Sequence, residues 1–172
     1  MNAAVHDDAP APGQATLIER FWLDYQRTCG VQVAGFSATA LGCTRALADT
    51  LAELVRAGAK RAHATLRRDF DADGEALPAK GEHLVVLDGD GCPQAIVSVT
   101  HVELRRFNEI DDEFAFHAGE GDSTLRWWLT AHRQDFAERA EREGFEVGDE
   151  SELVLEYFER VWPQGESREG EG

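Results

Sequence analysis

Apolar positions along the chain fall first at helical spacing. Leu17, Ile18, Phe21, Trp22 and Tyr25 recur three or four residues apart and Gly30 follows as a stop, so the pattern predicts a helix from near Thr16. After a short extended piece over 31–36, a second helix is expected with Thr44 as its N-cap, Leu47, Leu51, Leu54 and Val55 on one face, and Gly58 at its C-terminal end. The period then changes. Ala62, Ala64 and Leu66 alternate with Arg61, His63, Thr65 and Arg67, the signature of a half-buried strand. Gly74 and Pro78 break the chain, 84–87 reads as a short apolar strand, and Asp88-Gly89-Asp90-Gly91 predicts a hairpin whose returning strand covers 94–104. A short helix over 111–117 and a loop over 119–122 follow. Asp122 is placed to cap a long helix with a buried stripe of Leu125, Trp128, Leu129, His132 and Phe136, ended by Gly144. A last strand over 152–161 is closed by Pro163. Helices and strands mix without regular βαβ alternation, which predicts an α+β layout with a mainly antiparallel, curled sheet.

Composition sets the limits around this pattern. At 172 residues and 42% hydrophobic content, one domain over 15–163 is expected, flanked by a flexible N-terminal tail over 1–14 and a flexible C-terminal tail over 164–172, both poor in bulky apolar residues. With 33 acidic and 17 basic side chains, the chain should repel a long nucleic acid, because that affinity comes largely from neutralising phosphates. No apolar run reaches the roughly 20 residues needed to span a bilayer, and the first residues carry neither a basic segment nor an apolar core for export. The expectation is a cytoplasmic protein without a membrane partner. Cys29, Cys43 and Cys92 are odd in number and far apart, and no HxH or HExxH pairs the six histidines, so no metal and no cofactor are predicted. The DGDG turn lacks the further oxygen ligands of a calcium loop.

One stretch departs from the acidic background. Arg56, Lys60, Arg61, Arg67 and Arg68, with His63 among them, fall within a net charge of -16. Two readings stand side by side: a polar or anionic ligand held at a helix-to-strand junction, or a solvated face balanced by Asp69, Asp71 and Asp73. Strand parity puts Arg67, not Arg68, on the side of His63.

The order of motifs also resembles a family. Ala57-Gly58-Ala59-Lys60, Leu77-Pro78, Gly81-Glu82, the DGDG hairpin, the run FNEIDDEFA from Phe107 to Ala115, Gly119-Glu120-Gly121-Asp122 and the Trp-rich helix from Leu125 resemble the ASCH domain proteins, a branch of the PUA-like β-barrels. The resemblance covers about 16–163. It implies the ASCH fold: a PUA-like small curled β-barrel with flanking helices and a cleft beside the GxK turn. It also implies recognition of RNA, a nucleotide or a modified nucleoside.

Some relatives resemble ribonucleases, and one branch hydrolyses the amide of an acylated nucleoside. That branch uses a Lys, a Thr three residues later and a Glu on the strand after the hairpin. Lys60 keeps the first position, while His63 and Ser98 stand at the other two. An imidazole is not an alkoxide and Ser98 is no carboxylate, so that mechanism does not carry over unchanged. A metal-independent hydrolase would instead use Lys60, His63 and Glu120, with His63 as base, Lys60 as electrostatic partner and Glu120 or Asp122 beside them. As a recognition domain, the same cleft would offer Gly58, Lys60, Arg61, His63, Arg67, Ser98, Glu120, Asp122 and Trp127. Trp127 would stack a base while Trp128 stays in the core. His63 is equally readable as a strand residue bonded locally, Asp122 as a helix cap, and the domain as a protein-interaction module that keeps the fold without the chemistry. The partner is thus short RNA, a nucleotide or a modified nucleoside, and no feature sets an oligomeric state.

Overall fold

The computed structural model describes residues 12–33 and 35–165. In chain order it holds α1 (Pro12–Cys29), β1 (Ser37–Ala40), α2 (Arg45–Arg56), β2 (Ala62–Leu66), α3 (Arg67–Asp73), β3 (His83–Leu87), β4 (Pro93–Arg106), a 3-10 turn (Phe107–Glu109), α4 (Asp112–Ala118), α5 (Leu125–Glu143) and β5 (Glu152–Trp162). Residues 1–11 and 166–172, most of the two expected tails, lie outside the described residues. Among the described residues no helix is long and apolar enough to cross a membrane.

The five strands form one sheet in the order β1-β3-β4-β5-β2. Only the β1–β3 pairing is parallel; the hairpin β3–β4 and the pairs β4–β5 and β5–β2 are antiparallel. Bulges where β4 meets β5, between Ile96 and Val97 and between Val99 and His101, bend the long strand and curl the sheet. The curl does not close. The edge strands β1 and β2 have no partner in each other, and the gap between them becomes the site described below.

Each layer follows from side-chain alternation. Val85 and Ile96 pack under Ile18, Trp22 and Tyr25 of α1, whereas Val86, Ala95 and Val97 point the other way, toward Leu51, Ala52 and Val55 of α2. That two-sided burial explains why 84–87 reads as a continuous apolar run. On the far side of the molecule Ala62, Ala64 and Leu66 join Leu153 and Leu155 against Phe114, Trp128 and Phe136 of α4 and α5. The opposite faces of β2 and β5, carrying His63, Thr65 and Glu156, are left for the cleft.

Most expected elements stand, with four corrections. Helix α1 begins at Pro12 and not near Thr16, since a proline lacking its N–H is tolerated in a first turn. The extended piece expected over 31–36 forms a strand only at Ser37–Ala40. Strand β2 covers Ala62–Leu66 as the alternation predicts, but Arg67, expected to follow the parity of His63, instead opens the short helix Arg67–Asp73 ended by Gly74 at φ +66°. The N-cap of α5 is Thr124, whose hydroxyl accepts from Trp127 N, and not Asp122.

Candidate functional site

The site starts at two backbone turns forced against each other. Helix α2 ends where Gly58 takes φ +80°, and Leu54 O accepts from both Ala59 N and Lys60 N at 3.0 Å. Helix α4 ends at Gly119, φ +66°, where a Cβ would lie 2.2 Å from Ala59 O. Only glycine permits that approach. It sets Glu120, the next residue, beside Lys60. Arg61 N donates to His117 O at 2.6 Å and Phe158 N to Arg61 O at 3.0 Å, tying the turn to α4 and β5.

Lys60 is fully buried, and its ammonium reaches Ala62 O at 2.7 Å, Glu120 Oε2 at 3.2 Å and Ala118 O at 3.3 Å. Three acceptors match the three N–H groups of a charged lysine. Burial lowers its pKa, and the Glu120 charge opposes that shift. Glu120 continues the chain: its Oε1 lies 3.3 Å from His132 Nε2. Burial alone would raise the Glu120 carboxyl, but the hydrogen bond from His132 and the charge of Lys60 outweigh it and hold it at about 2. A carboxylate facing Nε2 favours a proton on that nitrogen, so in the singly protonated ring Nδ1 is the acceptor. That Nδ1 is buried and has no partner among the described residues. Trp128 fixes the ring by stacking at 4.1 Å between centroids.

His63 lies on β2 above Lys60. Burial, followed by the nearby Lys60 charge, pushes its pKa down to about 3, so it is neutral at ordinary pH. Its Nδ1 is likewise buried without a partner. Across the β2–β5 ladder His63 registers with Glu156, which places both side chains on one face. Burial, then the Glu82 charge, raises the Glu156 carboxyl to about 7.

These groups surround a cavity of about 660 Å³ in the gap of the open barrel, bounded by Ser37–Ala40 on one edge and His63–Leu66 on the other. Leu47 and Leu51 of α2 supply apolar wall, and His132, Asp135 and Arg139 of α5 supply polar wall. A space of this size suits a small organic ligand.

The structure brings together some of the sequence candidates and disperses others. His63 and Glu120 line the cavity, and Lys60 is buried behind Glu120; Gly58 is exposed at the turn after α2 and does not line it. Arg61 is exposed with its guanidinium 5.6 Å from the Phe116 ring. Arg67 opens α3, bonds Glu152 at 2.9 Å and borders a separate hollow, because the strand whose parity favoured it has already ended. Ser98 pairs in register with His83 and Glu159 and does not line the cavity; the carboxylate meeting Lys60 is Glu120. Asp122 is exposed and accepts from Thr124 N and Oγ1 at 3.0 and 2.6 Å. Trp127 is 38% exposed and covers Gly121, whose Cβ would meet the indole at 2.1 Å.

Sequence reasoning passed over Glu156 and treated His132 only as part of a buried stripe. Glu156 did carry a signal: it is a charge set between the buried Val154 and Phe158 on one face of its strand.

The ASCH domain family model matches residues 37–162. The chain belongs to this family, part of the PUA-like superfamily and broadly linked to RNA and nucleic-acid interaction. It is similar to the ASCH domain from Lactobacillus crispatus JV V101, with 30% identity, a TM-score of 0.77 and coverage of 91% of this chain and 99% of that one. A protein from Enterococcus faecalis V583 shares the fold at 24% identity and a TM-score of 0.75, over 92% and 99% of the two chains. No curated protein matches the sequence. The curled half-barrel with flanking helices is the ASCH fold.

Proposed function

We propose that this ASCH domain is a recognition module that takes a nucleotide, a nucleoside or a base of a short RNA into the cleft between β1 and β2. The observation that carries the reading is the pair of buried, partnerless imidazole nitrogens, His63 Nδ1 and His132 Nδ1, on the lining of a ligand-sized cavity. Buried polar atoms are nearly always satisfied, so two in one cleft indicate that something else completes them. Heterocycle edges offer donors and acceptors at this scale, and Leu47 and Leu51 give apolar wall for a ring face. Lys60 serves as a buried brace for Glu120 in this reading and does not meet phosphate.

Isothermal titration with ribonucleosides, nucleotides and short RNAs tests it. Wild type should bind at least one class, and His63→Gln or His132→Gln, checked for folding by circular dichroism, should weaken binding about tenfold, the value of one hydrogen bond to a buried group. Equal binding by both variants, or none by wild type, contradicts it.

One observation supports a second reading, a metal-independent hydrolase of RNA or a nucleoside amide. Glu120 orients His132 as a carboxylate orients a catalytic imidazole, leaving Nδ1 free to take a proton from water. Turnover of short RNA or acylated nucleosides, abolished in His132→Gln with binding retained, would distinguish it.

A further inference from the structure

Resting on the nucleotide-recognition reading, we infer that the cross-strand pair His63–Glu156 determines specificity, reading the donor-bearing edge of an uncharged or cationic nitrogen heterocycle while any phosphate stays outside the cleft. The two residues are register partners on adjacent strands, so their side chains stand on one face and open into the same cavity. His63 Nδ1 is buried and unpartnered. Glu156 makes no hydrogen bond or ion pair among the described residues, although it is half-buried. The pair therefore offers an imidazole nitrogen and a carboxyl side by side, matched to ligand N–H groups.

The charge lining the cavity argues against an anion. Six carboxyl groups border it: Asp69, Glu75, Glu82, Glu120, Asp135 and Glu156. The one guanidinium there, Arg139, is consumed by both oxygens of Asp69 at 2.6 and 2.8 Å and by Glu143 at 2.6 Å. The Lys60 charge lies beneath the lining and is matched by Glu120. His63 is neutral at ordinary pH. A phosphate entering this space finds no unpaired cation and several carboxylates, whereas a base bearing amino or ring N–H groups finds acceptors. Arg61, which is exposed, and Arg67, which is half-buried and bonded to Glu152, both lie outside the cavity, where phosphates of a longer ligand would have to remain.

The test is a matched titration at pH 8 with the four ribonucleosides and their 5′-monophosphates, using wild type and Glu156→Gln. The expected result is at least one nucleoside binding about tenfold more tightly than its own monophosphate. In Glu156→Gln, with an unchanged circular dichroism spectrum, that preference should shrink at least about threefold. A monophosphate that binds wild type as tightly as its nucleoside overturns the inference and leaves the recognition reading standing. An unaltered preference in folded Glu156→Gln removes Glu156 from it. Absence of binding by nucleosides, monophosphates and short RNAs alike overturns both.

Discussion

Lys60 and Glu120, sixty positions apart in the sequence, form a buried ion pair at 3.2 Å with side chains 0% and 7% exposed. The pair links the end of α2 to the loop after α4, and through Glu120 it orients His132. Taking two charges out of water is costly, so the arrangement is held by full satisfaction: two carbonyls complete the ammonium and His132 shares the carboxylate. Removing one partner strands the other.

Lys60→Ala should therefore destabilise the protein by about 3–5 kcal/mol in urea denaturation, whereas Lys60→Met combined with Glu120→Gln should cost clearly less than the sum of the single changes. Additive losses would mean that the two residues act independently.

The pressed turns give a second prediction. Gly119→Ala must place a Cβ 2.2 Å from Ala59 O at φ +66°, while Gly58→Ala meets only its own left-handed strain at φ +80°, with no atom within 4 Å. Gly58→Ala should cost about 1 kcal/mol and Gly119→Ala at least about twice that. Thermal melts would decide, and equal costs would contradict the close approach.

Two cleft residues should impose opposite pH slopes on stability. The folded pKa of His63 is about 3 against an ordinary 6.5, so its contribution is a loss of stability that grows as pH falls from 6.5 toward 3. Glu156 is raised from 4.5 to about 7; its carboxyl is tolerated below 4.5, and a penalty develops as pH rises through 7. Over 4.5–6.5 the two oppose each other. Glu156→Gln should stabilise the unliganded protein at pH 8 by on the order of 2 kcal/mol and leave it unchanged at pH 4. In His63→Gln, stability should decline with rising pH across that window. Denaturation midpoints across pH 4–8 check both signs.

Glu120 adds a third titration at more acid pH. Its carboxyl, held at about 2 against an ordinary 4.5, contributes stability that is fully present above 4.5 and disappears as pH falls toward 2. Glu120→Gln should flatten acid unfolding between those limits, and a wild-type slope in that variant would contradict the assignment.

The helices α2 and α5, strand β2 and the DGDG hairpin were readable because each carries its own local chemistry: Thr44 as cap, the Ala62-Ala64-Leu66 alternation, and Asp88 accepting from Asp90 N and Cys92 N across the turn. The site was only partly readable. Parity identified the face of His63, but could not show that the strand ends one residue before Arg67. Net charge flagged the basic stretch, yet its cations separate: Lys60 goes inside, Arg61 onto Phe116 and Arg67 onto Glu152. Glu156 and His132 reach the cavity only through β5 pairing with β2 and α5 packing over it, which are relations between distant segments. The motif GEGD was legible as a loop; its Glu120 acquires a role only from the contact of Gly119 with Ala59.

The most direct test of the cleft as a recognition site is side-chain nuclear magnetic resonance of ¹⁵N-histidine protein during titration with the ribonucleosides and a short RNA. The account predicts saturable shifts of the ring nitrogens of His63 and His132, with His101 and His117, which border a separate hollow beside Tyr157, unmoved. Shifts confined to His101 and His117, or no shift at any histidine, would contradict it.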